Sequence, residues 1–355
     1  MTINTISNNE FFQRTSVWQE LRQRPLGFID IGARGNVHEV VEPIASLTAV
    51  LGFEPDQQAC RDILKNLENA SPWAKFQIQP LAVADRDGAV ELQLMAVPTN
   101  HSLRKSNIDF VNRYQMAKFR HVGATPVVAA RLDTVLSSIR SDEVYWGELI
   151  KIDTQGTEFE IFCGAEQTLR KHTVALLAEV SFFEIYSCQM LFSEIEQKLR
   201  GLGFSFYGFI SPHHRSLRQL DKKIHIGAER LMQADAIFLR DPLPGSPQRT
   251  PLTDRGNKVL FICAILLGYY DFALELALAT FASDLADANL IREFVFSVAT
   301  IPPEMTCQQV SDLAQIVAKT PSLANVKVGK FVDQRRRYFD YDDYFAEASD
   351  HLYQK

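Results

Sequence analysis

The sequence predicts an α/β fold built on a mostly parallel sheet with helices on both faces. Short apolar runs alternate with helix-like segments from Leu26 to about Arg240, as strands and crossover helices do in such sheets. The first run, Phe28–Ile31, opens onto a glycine turn, and the following run ends in an acid at Glu54. A strand, a glycine turn, a helix and a second strand ending in a carboxylate are typical of enzymes that bind an adenosine cofactor.

Composition narrows the class of protein. The chain has 355 residues, of which 46% are hydrophobic and 23% charged, which is enough for a sizeable core and about two domains. The net charge of -6 argues against a nucleic-acid partner. The five cysteines have no C-x-x-C spacing, so we expect neither a disulfide framework nor a zinc site, and no other pattern demands a metal. Scattered cysteines favour the reducing cytoplasm as the location.

No membrane segment is expected. The first residues have neither a basic block nor an apolar block, so a secretory signal is not predicted. The most apolar run, Val259–Tyr270, is shorter than the roughly 20 residues that a membrane helix needs. It is therefore predicted to form a buried helix.

Changes in composition along the chain suggest several regions. The proline-rich segment Asp241–Pro247 bars helix and strand and marks a linker, and the residues after it carry alanine and leucine at helical spacing. The expected regions are an N-terminal helix or arm (1–25), a cofactor-binding domain (26–240) with an insertion (about 86–146), the linker (241–254), a helical C-terminal region (255–330) and a charged, tyrosine-rich tail (331–355).

The strands of the main domain are predicted from apolar runs rich in β-branched and aromatic residues. They are Gly27–Gly32, Thr48–Glu54, Phe76–Val83, Glu148–Asp153, Val174–Val180, Phe204–Phe209 and Ala234–Leu239. The clearest helices between them are Pro55–Asn69, Thr157–Lys171 and Phe192–Leu202. The insertion contains two further strand-like runs and a polar stretch, His101–Gly123, which we expect at the carboxyl edge of the sheet, where substrate loops usually lie.

The glycine turn and Glu54 suit a cofactor for physical reasons. Gly32 and Gly35 permit backbone angles that side chains forbid and let the main chain approach a ligand closely. Glu54 can accept hydrogen bonds from both ribose hydroxyls, and Asp30 can order the glycine loop. The motif is not G-x-G-x-x-G, which counts against a dinucleotide enzyme. A strand, turn and helix without any ligand is the alternative interpretation.

A third motif, Leu149–Glu158, is a buried strand that ends in Asp153 and leads through a turn into a helix. Asp153 should emerge at the carboxyl edge beside the cofactor. Thr157 and Glu160 can form a capping box at the helix start. Alternatively, Asp153 and Glu158 serve only the helix N-terminus, where acids are electrostatically favourable.

Together with Leu81–Gly88, Arg131–Thr134 and Leu177–Val180, these motifs resemble the FkbM-type family of S-adenosylmethionine-dependent methyltransferases. The resemblance covers about Leu26 to Phe209, and Ile150–Ala165 is its most specific part. It implies a class I methyltransferase (Rossmann-like) fold, with a seven-stranded, mostly parallel sheet whose last strand is antiparallel. An all-helical C-terminal region would follow, which the family pattern does not cover.

The resemblance also implies roles for residues in the cofactor S-adenosyl-L-methionine site. The glycine loop would hold the methionine moiety, Glu54 the ribose, and Leu81–Asp85 would flank the adenine. Asn36 stands where the family pattern has glycine, and asparagine tolerates left-handed angles better than most residues. The implied cofactor-binding residues are Asp30, Gly32, Ala33, Arg34, Gly35, Asn36, Glu54, Pro55, Leu81, Ala82 and Asp85.

Methyl transfer to an alcohol also needs a group that removes the hydroxyl proton. The candidate catalytic bases are Asp153 and His101, with the pair His213 and His214 as further candidates. Each histidine could instead be an ordinary surface side chain.

Three functions remain open at this level. The leading one is an O-methyltransferase acting on a hydroxyl of a sugar, a glycan or a secondary metabolite, so that the partner is a small-molecule or glycan acceptor. The alternative is a non-catalytic protein that keeps the methyltransferase fold and binds a protein partner through the helical C-terminal region. The weakest is a nicotinamide dehydrogenase, since Glu54 would also suit the ribose of NAD.

Overall fold

The structure is a computed structural model, and it describes residues 3–67, 71–139, 143–282 and 284–335. Most of the predicted tail, from residue 336 onward, lies outside the described residues. Among the described residues, no helix is both long and apolar enough to span a bilayer.

Ten strands occur in the described residues, and they are numbered here in chain order: β1 (Leu26–Ile31), β2 (Thr48–Phe53), β3 (Lys75–Gln79), β4 (Ala82–Val83), β5 (Gly88–Met95), β6 (His121–Ala130), β7 (Leu149–Ile152), β8 (Ala175–Ser181), β9 (Ser205–Arg215) and β10 (Arg230–Leu239).

Seven of these strands form the main sheet, in the order β3-β2-β1-β7-β8-β10-β9. Strands β3, β2, β1, β7 and β8 pair in parallel, whereas β10 runs antiparallel to β8. Every residue of β1 and β2 is buried, because layers cover both faces of the sheet. The predicted seven-stranded class I methyltransferase sheet is confirmed.

The predicted insertion supplies two strands, β5 and β6, of a second, three-stranded sheet in the order β4-β6-β5. Strand β5 pairs antiparallel with β6, and the short strand β4 pairs with β6 in parallel. The predicted strand Phe76–Val83 is therefore divided, since β3 belongs to the main sheet and β4 to the small one. This division places the small sheet next to the carboxyl ends of the main strands.

The α-helices of the described residues, in chain order, are α1 (Ser16–Gln23), α2 (Gln57–Leu67), α3 (Ile108–Arg113), α4 (Leu132–Ser138), α5 (Glu158–Gly164), α6 (Glu166–Lys171), α7 (Phe192–Gly201), α8 (Asp254–Leu267), α9 (Tyr270–Thr280), α10 (Leu285–Ala299), α11 (Pro303–Lys319) and α12 (Ala324–Arg335). Short 3₁₀ segments lie at Phe12–Arg14, Glu39–Leu47, Pro98–Asn100, Ala117–Phe119 and Pro321–Leu323.

Two local expectations differ from the structure. The helix expected after the glycine turn is the 3₁₀ segment Glu39–Leu47, which contains Pro43 and a non-helical Ile44. Proline has no amide hydrogen for an α-helical bond, which accounts for the irregular segment. The predicted helix Thr157–Lys171 is divided at Ala165 into α5 and α6.

Each face of the main sheet has its own hydrophobic core. Strand residues on one face, such as Phe28, pack with α1 and the apolar helices α8, α9 and α10. Residues on the other face, such as Ile29, pack with α5, α6 and α7. The run Val259–Leu267 is helical and buried throughout, as predicted, but the helix ends there. The predicted run extended to Tyr270, whereas Gly268 caps α8 in a left-handed conformation and Tyr270 begins α9.

The chain divides into two compact units. The first comprises residues up to 215 together with 231–299, so that α8, α9 and α10 belong to the same unit as the main sheet. Among the described residues, the second comprises 216–230 and 300–335. Within the second unit, the Asn325 side-chain amide donates to the Lys223 carbonyl at 2.9 Å. The division into a methyltransferase domain, a linker at 241–254 and a separate C-terminal region stays a prediction.

A buried ion-pair network closes the amino end of the main sheet. Glu148, just before β7, accepts hydrogen bonds from Arg255 at 2.7 and 2.9 Å and from the Gly27 amide at 3.0 Å. Arg255 also donates to Glu20 at 2.9 Å and to the Pro25 carbonyl at 3.2 Å. The network joins α1, β1, β7 and α8.

Candidate functional site

A cavity of about 280 Å³ lies at the carboxyl ends of β1, β2 and β7. The small sheet and the loop after it form the opposite wall, with Leu92, Pro98 and Ser102. Because the carboxyl ends of neighbouring parallel strands meet at one edge, side chains that are distant in the sequence converge here.

Most of the residues predicted for the site reach this cavity. Its walls include Asp30, Gly32, Arg34, Asn36, Glu54, Pro55, Leu81, Ala82, His101 and Asp153. Ala33 and Gly35 belong to the same loop but are not among its lining residues. Asp85 lines a neighbouring cavity with Arg104 and Glu160. The roles assigned to all of these residues stay predictions.

The glycine loop after β1 is held against two neighbouring strands. Gly32 has a φ of +85°, and a Cβ there would lie 2.0 Å from the Asp153 carbonyl oxygen, so this close approach requires glycine. The Gly32 amide donates to the Phe53 carbonyl at 3.0 Å, and the Asp153 amide donates to the Ile31 carbonyl at 3.0 Å. Gly35 has a φ of +100°, whereas Asn36 does not take a positive φ. The backbone angle at position 36 therefore does not require glycine.

Asp30 organises the floor of the cavity. It lies opposite Lys151 in the register of β1 and β7, and its Oδ1 is 3.4 Å from the Lys151 Nζ. Its Oδ2 accepts a hydrogen bond from the His38 amide at 2.9 Å, which fixes the end of the glycine loop. Burial opposes the charge on Lys151, but Asp30 and Asp153 outweigh it and raise the pKa of the ammonium.

The His38 side chain also lines the cavity. Burial, reinforced by the nearby Lys151, lowers the pKa of its imidazole. Its Nδ1 accepts a hydrogen bond from the Val40 amide at 3.2 Å, so the neutral ring carries its proton on Nε2.

Glu54 lies at the end of β2, where the resemblance predicts the ribose contact. Only 4% of its surface is exposed, and burial raises the pKa of its carboxyl group. Its Oε1 accepts a hydrogen bond from the Asp56 amide at 2.8 Å. Asp56 in turn pairs with Arg34 at 3.0 Å, so the glycine loop is tied to the start of α2 above Glu54.

The loop after β7 is fixed by the buried carboxylate of Glu158. This carboxylate accepts hydrogen bonds from the amides of Thr154, at 3.0 Å, and Gly156, at 3.1 Å. The capping box predicted for Thr157 and Glu160 is wrong, because the Thr157 side chain accepts no hydrogen bond from the helix amides. Burial raises the pKa of Glu158 to about 7. Glu158 thus orders the loop that presents Asp153.

Three acidic side chains lie on neighbouring strands near the carboxyl edge of the sheet. Asp153 comes directly after β7, Glu179 lies on the adjacent strand β8, and Asp235 lies opposite Glu179 in the register of β8 and β10. Burial, followed by repulsion from Asp153, raises the pKa of Glu179 well above its usual range and that of Asp235 to about 6. Among the described residues, no group of three or more histidine, cysteine or acidic side chains is arranged to hold a metal ion.

His101 lies on the wall formed by the insertion. Its Nδ1 accepts a hydrogen bond from the Met95 amide at 3.0 Å, so the neutral ring carries its proton on Nε2. Burial, followed by the charge of Arg34, lowers the pKa of this imidazole. In this arrangement His101 can donate a hydrogen bond into the site.

Several polar side chains of the cavity were not predicted from the sequence. Lys151 was not predicted because it stands inside an apolar strand. Its place two residues before Asp153 nevertheless puts both side chains on the same face of the strand. His38, Ser102 and Gln155 also line the cavity. Gln155 stands in the most specific part of the family motif, which was the available signal.

Known proteins are similar to the part of the chain that carries this cavity. Residues 30–206 match the family model of the methyltransferase FkbM domain. The 2-O-methyltransferase NoeI of Sinorhizobium fredii (strain NBRC 101917 / NGR234) is 28% identical over 152 residues. That alignment covers 39% of this chain and 56% of the relative, so the chain spans little more than half the length of the curated relative.

Solved structures are related more distantly. The crystal structure of methyltransferase FkbM from Methylobacillus flagellatus KT aligns with 12% identity and a TM-score of 0.35, over 67% of this chain and 48% of that one. The precorrin-6y C5,15-methyltransferase of Geobacter metallireducens GS-15 aligns with 10% identity and a TM-score of 0.33, over 68% of this chain and 94% of that one. Through the domain at residues 30–206, the chain belongs to the FkbM methyltransferase family.

Proposed function

We propose that this protein is an S-adenosylmethionine-dependent O-methyltransferase whose acceptor is a hydroxyl group of a sugar, a glycan or a secondary metabolite. The observation that carries the proposal is the cavity at the carboxyl ends of β1, β2 and β7, where Asp30, Glu54 and Asp153 converge. In a doubly wound sheet this edge is where ligands bind.

The residues of the cavity fit the cofactor. Glu54 is buried, and a buried carboxylate needs hydrogen-bond donors, which two ribose hydroxyls would supply. Such charge-assisted bonds contribute roughly 1.5–3 kcal/mol each. The Gly32 and Ala33 amides already donate to the Phe53 carbonyl, so the later amides of the glycine loop, from Arg34 to Asn36, would bind the amino-acid end. Leu81 and Ala82 offer an apolar surface to the base. When bound, the cofactor supplies a methyl group activated by the sulfonium.

Asp153 is the better of the two candidate bases. Its Oδ1 accepts a hydrogen bond from the Gln155 side-chain amide at 2.7 Å, and Oδ2 has no recorded partner among the described residues. His101, in contrast, carries its proton on the ring nitrogen that does not bind Met95. We therefore assign removal of the hydroxyl proton to Asp153 and a hydrogen-bonding role to His101.

The choice of a hydroxyl acceptor is supported by the curated relative, which is a 2-O-methyltransferase. A non-catalytic role is less well supported, because the cavity is open and is not filled by the chain's own side chains. The contact of the helical C-terminal region with a protein partner stays a prediction.

Isothermal titration calorimetry with S-adenosylhomocysteine tests the cofactor. We expect micromolar affinity, and we expect Glu54→Ala to weaken it at least about tenfold, or roughly 1.4 kcal/mol. Glu39→Ala, which removes an exposed acid near the site, is the matched control and should change the affinity by less than about twofold. A folded wild-type protein that binds neither S-adenosylhomocysteine nor S-adenosylmethionine would overturn the proposal.

Methyl transfer is tested with isotope-labelled S-adenosylmethionine and a panel of glycosides, polyols and phenols. Label on an acceptor oxygen supports the proposed reaction. Label found only on nitrogen or carbon of amine and enol controls would contradict O-methylation while leaving cofactor binding intact. Quenching of NADH fluorescence by the protein, with no response to S-adenosylhomocysteine, would favour a dehydrogenase instead.

A further inference from the structure

The side-chain amide of Gln155 lies between two carboxylates. Its Nε2 donates to Asp153 Oδ1 at 2.7 Å and to Glu179 Oε2 at 3.0 Å, which uses both of its hydrogens. These two acids come from β7 and β8, so the amide bridges neighbouring strands at the edge of the cavity.

The orientation of this amide follows from its contacts with the two acids. Its Oε1 lies 2.8 Å from the buried Tyr186 hydroxyl, which also lies 3.0 Å from the Asn100 carbonyl oxygen. An inverted amide would place its oxygen against Asp153 Oδ1 and Glu179 Oε2, so the observed orientation is the one that gives both acids a donor. If the NH₂ group turned away from Asp153, the contacts with both acids would be lost.

The backbone around Gln155 is also held in one particular conformation. Gln155 has a φ of +61°, and its carbonyl accepts a hydrogen bond from the Ser102 hydroxyl at 2.7 Å. At the next residue, Gly156, a Cβ would lie 2.9 Å from the Tyr186 ring, so glycine lets the ring pack directly against the loop. A left-handed residue other than glycine is uncommon and persists only where its surroundings hold it.

The bridge matters because the two carboxylates repel each other. Glu158 and Asp235 add further acidic groups beside them, and Lys151 contributes one positive charge. Without the Gln155 amide, Asp153 would lose the donor that holds its Oδ1, and repulsion from Glu179 would favour movement of its side chain away from Glu179.

We propose that Gln155 is a positioning residue that holds the Asp153 carboxylate toward the methyl-bearing end of the cofactor, so that the site distinguishes charged S-adenosylmethionine from neutral S-adenosylhomocysteine. This inference rests on the proposed function. The two ligands differ only in the methyl group and its positive charge. A carboxylate held beside that group therefore changes the affinity for one ligand and not for the other.

The test is a pair of calorimetric titrations, one with each ligand, on the wild type and on Gln155→Met. We expect the ratio of the S-adenosylmethionine Kd to the S-adenosylhomocysteine Kd to rise about fivefold, because Asp153 is no longer held near the positive charge. Asp153→Asn should shift the ratio in the same direction, and the double variant should shift it no further.

Gln233→Met is the matched control. Gln233 also donates to Glu179, but it lies on β10 and has no recorded bond to Asp153. Its replacement should change the ratio by less than about twofold, since only the contact with Glu179 is lost. If the substitutions only disordered the carboxyl edge of the sheet, both variants would bind both ligands more weakly and by the same factor.

The titrations distinguish a failure of the positioning role from a failure of the proposed function. A Gln155→Met protein that binds both ligands more weakly by the same factor would overturn the positioning role. Absence of binding to the wild type would instead overturn the proposed function. If Gln155→Met does not fold, Gln155→Asn replaces it, because asparagine suits a left-handed backbone and its shorter side chain cannot reach both carboxylates. The same ratio decides the outcome.

Discussion

A carboxylate lies at each end of strand β7, and the hydrogen-bond partners and neighbouring charges of the two carboxylates differ. At the amino end, Glu148 accepts two hydrogen bonds from Arg255 and one from the Gly27 amide. At the carboxyl end, Asp153 lies beside Glu179, which is itself an acid and shares its amide donor. One end is charge-compensated, whereas the other has an excess of acid.

This difference separates a stabilising network from a functional one. Breaking a buried ion pair whose atoms are satisfied is costly, because one buried charge is left unpaired. Uncompensated acids at a cavity cost stability, and perturbed titrating groups gather at functional sites for that reason. The position of the unbalanced charge, rather than the number of buried charges, therefore marks the site.

The largest effect should come from breaking the compensated end. Arg255→Met should lower the free energy of unfolding by about 3–5 kcal/mol, because Glu148 is left as a buried, unpaired charge. Urea denaturation measures this loss. Arg170→Met is the control, because its pair with Glu166 is exposed and should contribute less than about 1 kcal/mol. Equal losses in the two variants would mean that the amino-end network is no more than a surface contact.

The ion-pair network at the amino end could not be predicted from the sequence. Arg255 lies 107 residues from Glu148 and 235 residues from Glu20, and no local pattern relates them. The same limit hid the contact between Gln155 and Tyr186, which are 31 residues apart. Long-range side-chain pairs depend on packing that only the folded chain supplies.

The carboxyl end was more accessible to prediction. Asp30, Glu54 and Asp153 each end or nearly end an apolar run, and parallel strands carry such residues to one edge. The sheet followed from the same alternation of strands and helices. The two-unit division did not follow, because α8, α9 and α10 share a core with the sheet although their composition differs from it.

The next effect concerns activity at the carboxyl end. Asp153→Asn should lower the rate of methyl transfer at least about 100-fold, since a positioned base contributes roughly 10²–10⁴-fold. Turnover of the acceptor identified by the glycoside panel measures it, and a retained affinity for S-adenosylhomocysteine is the control. Unlike Arg255→Met, this variant should not lower the free energy of unfolding. A rate within a factor of about three of the wild type would remove Asp153 from the chemistry.

The smallest predicted effect is a gain in the free energy of unfolding, opposite in sign to the loss expected for Arg255→Met at the amino end. Burial, followed by Asp153, raises the pKa of Asp235 from 3.8 to about 6, whereas nearby Lys151 opposes the shift. The folded state therefore binds this proton more tightly than the unfolded state, so ionising Asp235 costs stability as the pH rises from about 4 to about 6. Asp235→Asn removes that cost and should raise the free energy of unfolding on the order of 1 kcal/mol at about pH 7.

Below about pH 4 the gain from Asp235→Asn should disappear, because the wild-type carboxyl group is then protonated in both states. Urea denaturation at the two pH values measures the difference. Asp312→Asn, an exposed position on α11, should show no such pH dependence. A loss of stability at neutral pH would mean that Asp235 is compensated in the same way as Glu148, and the contrast between the two ends of the sheet would then be confined to Asp153 and Glu179.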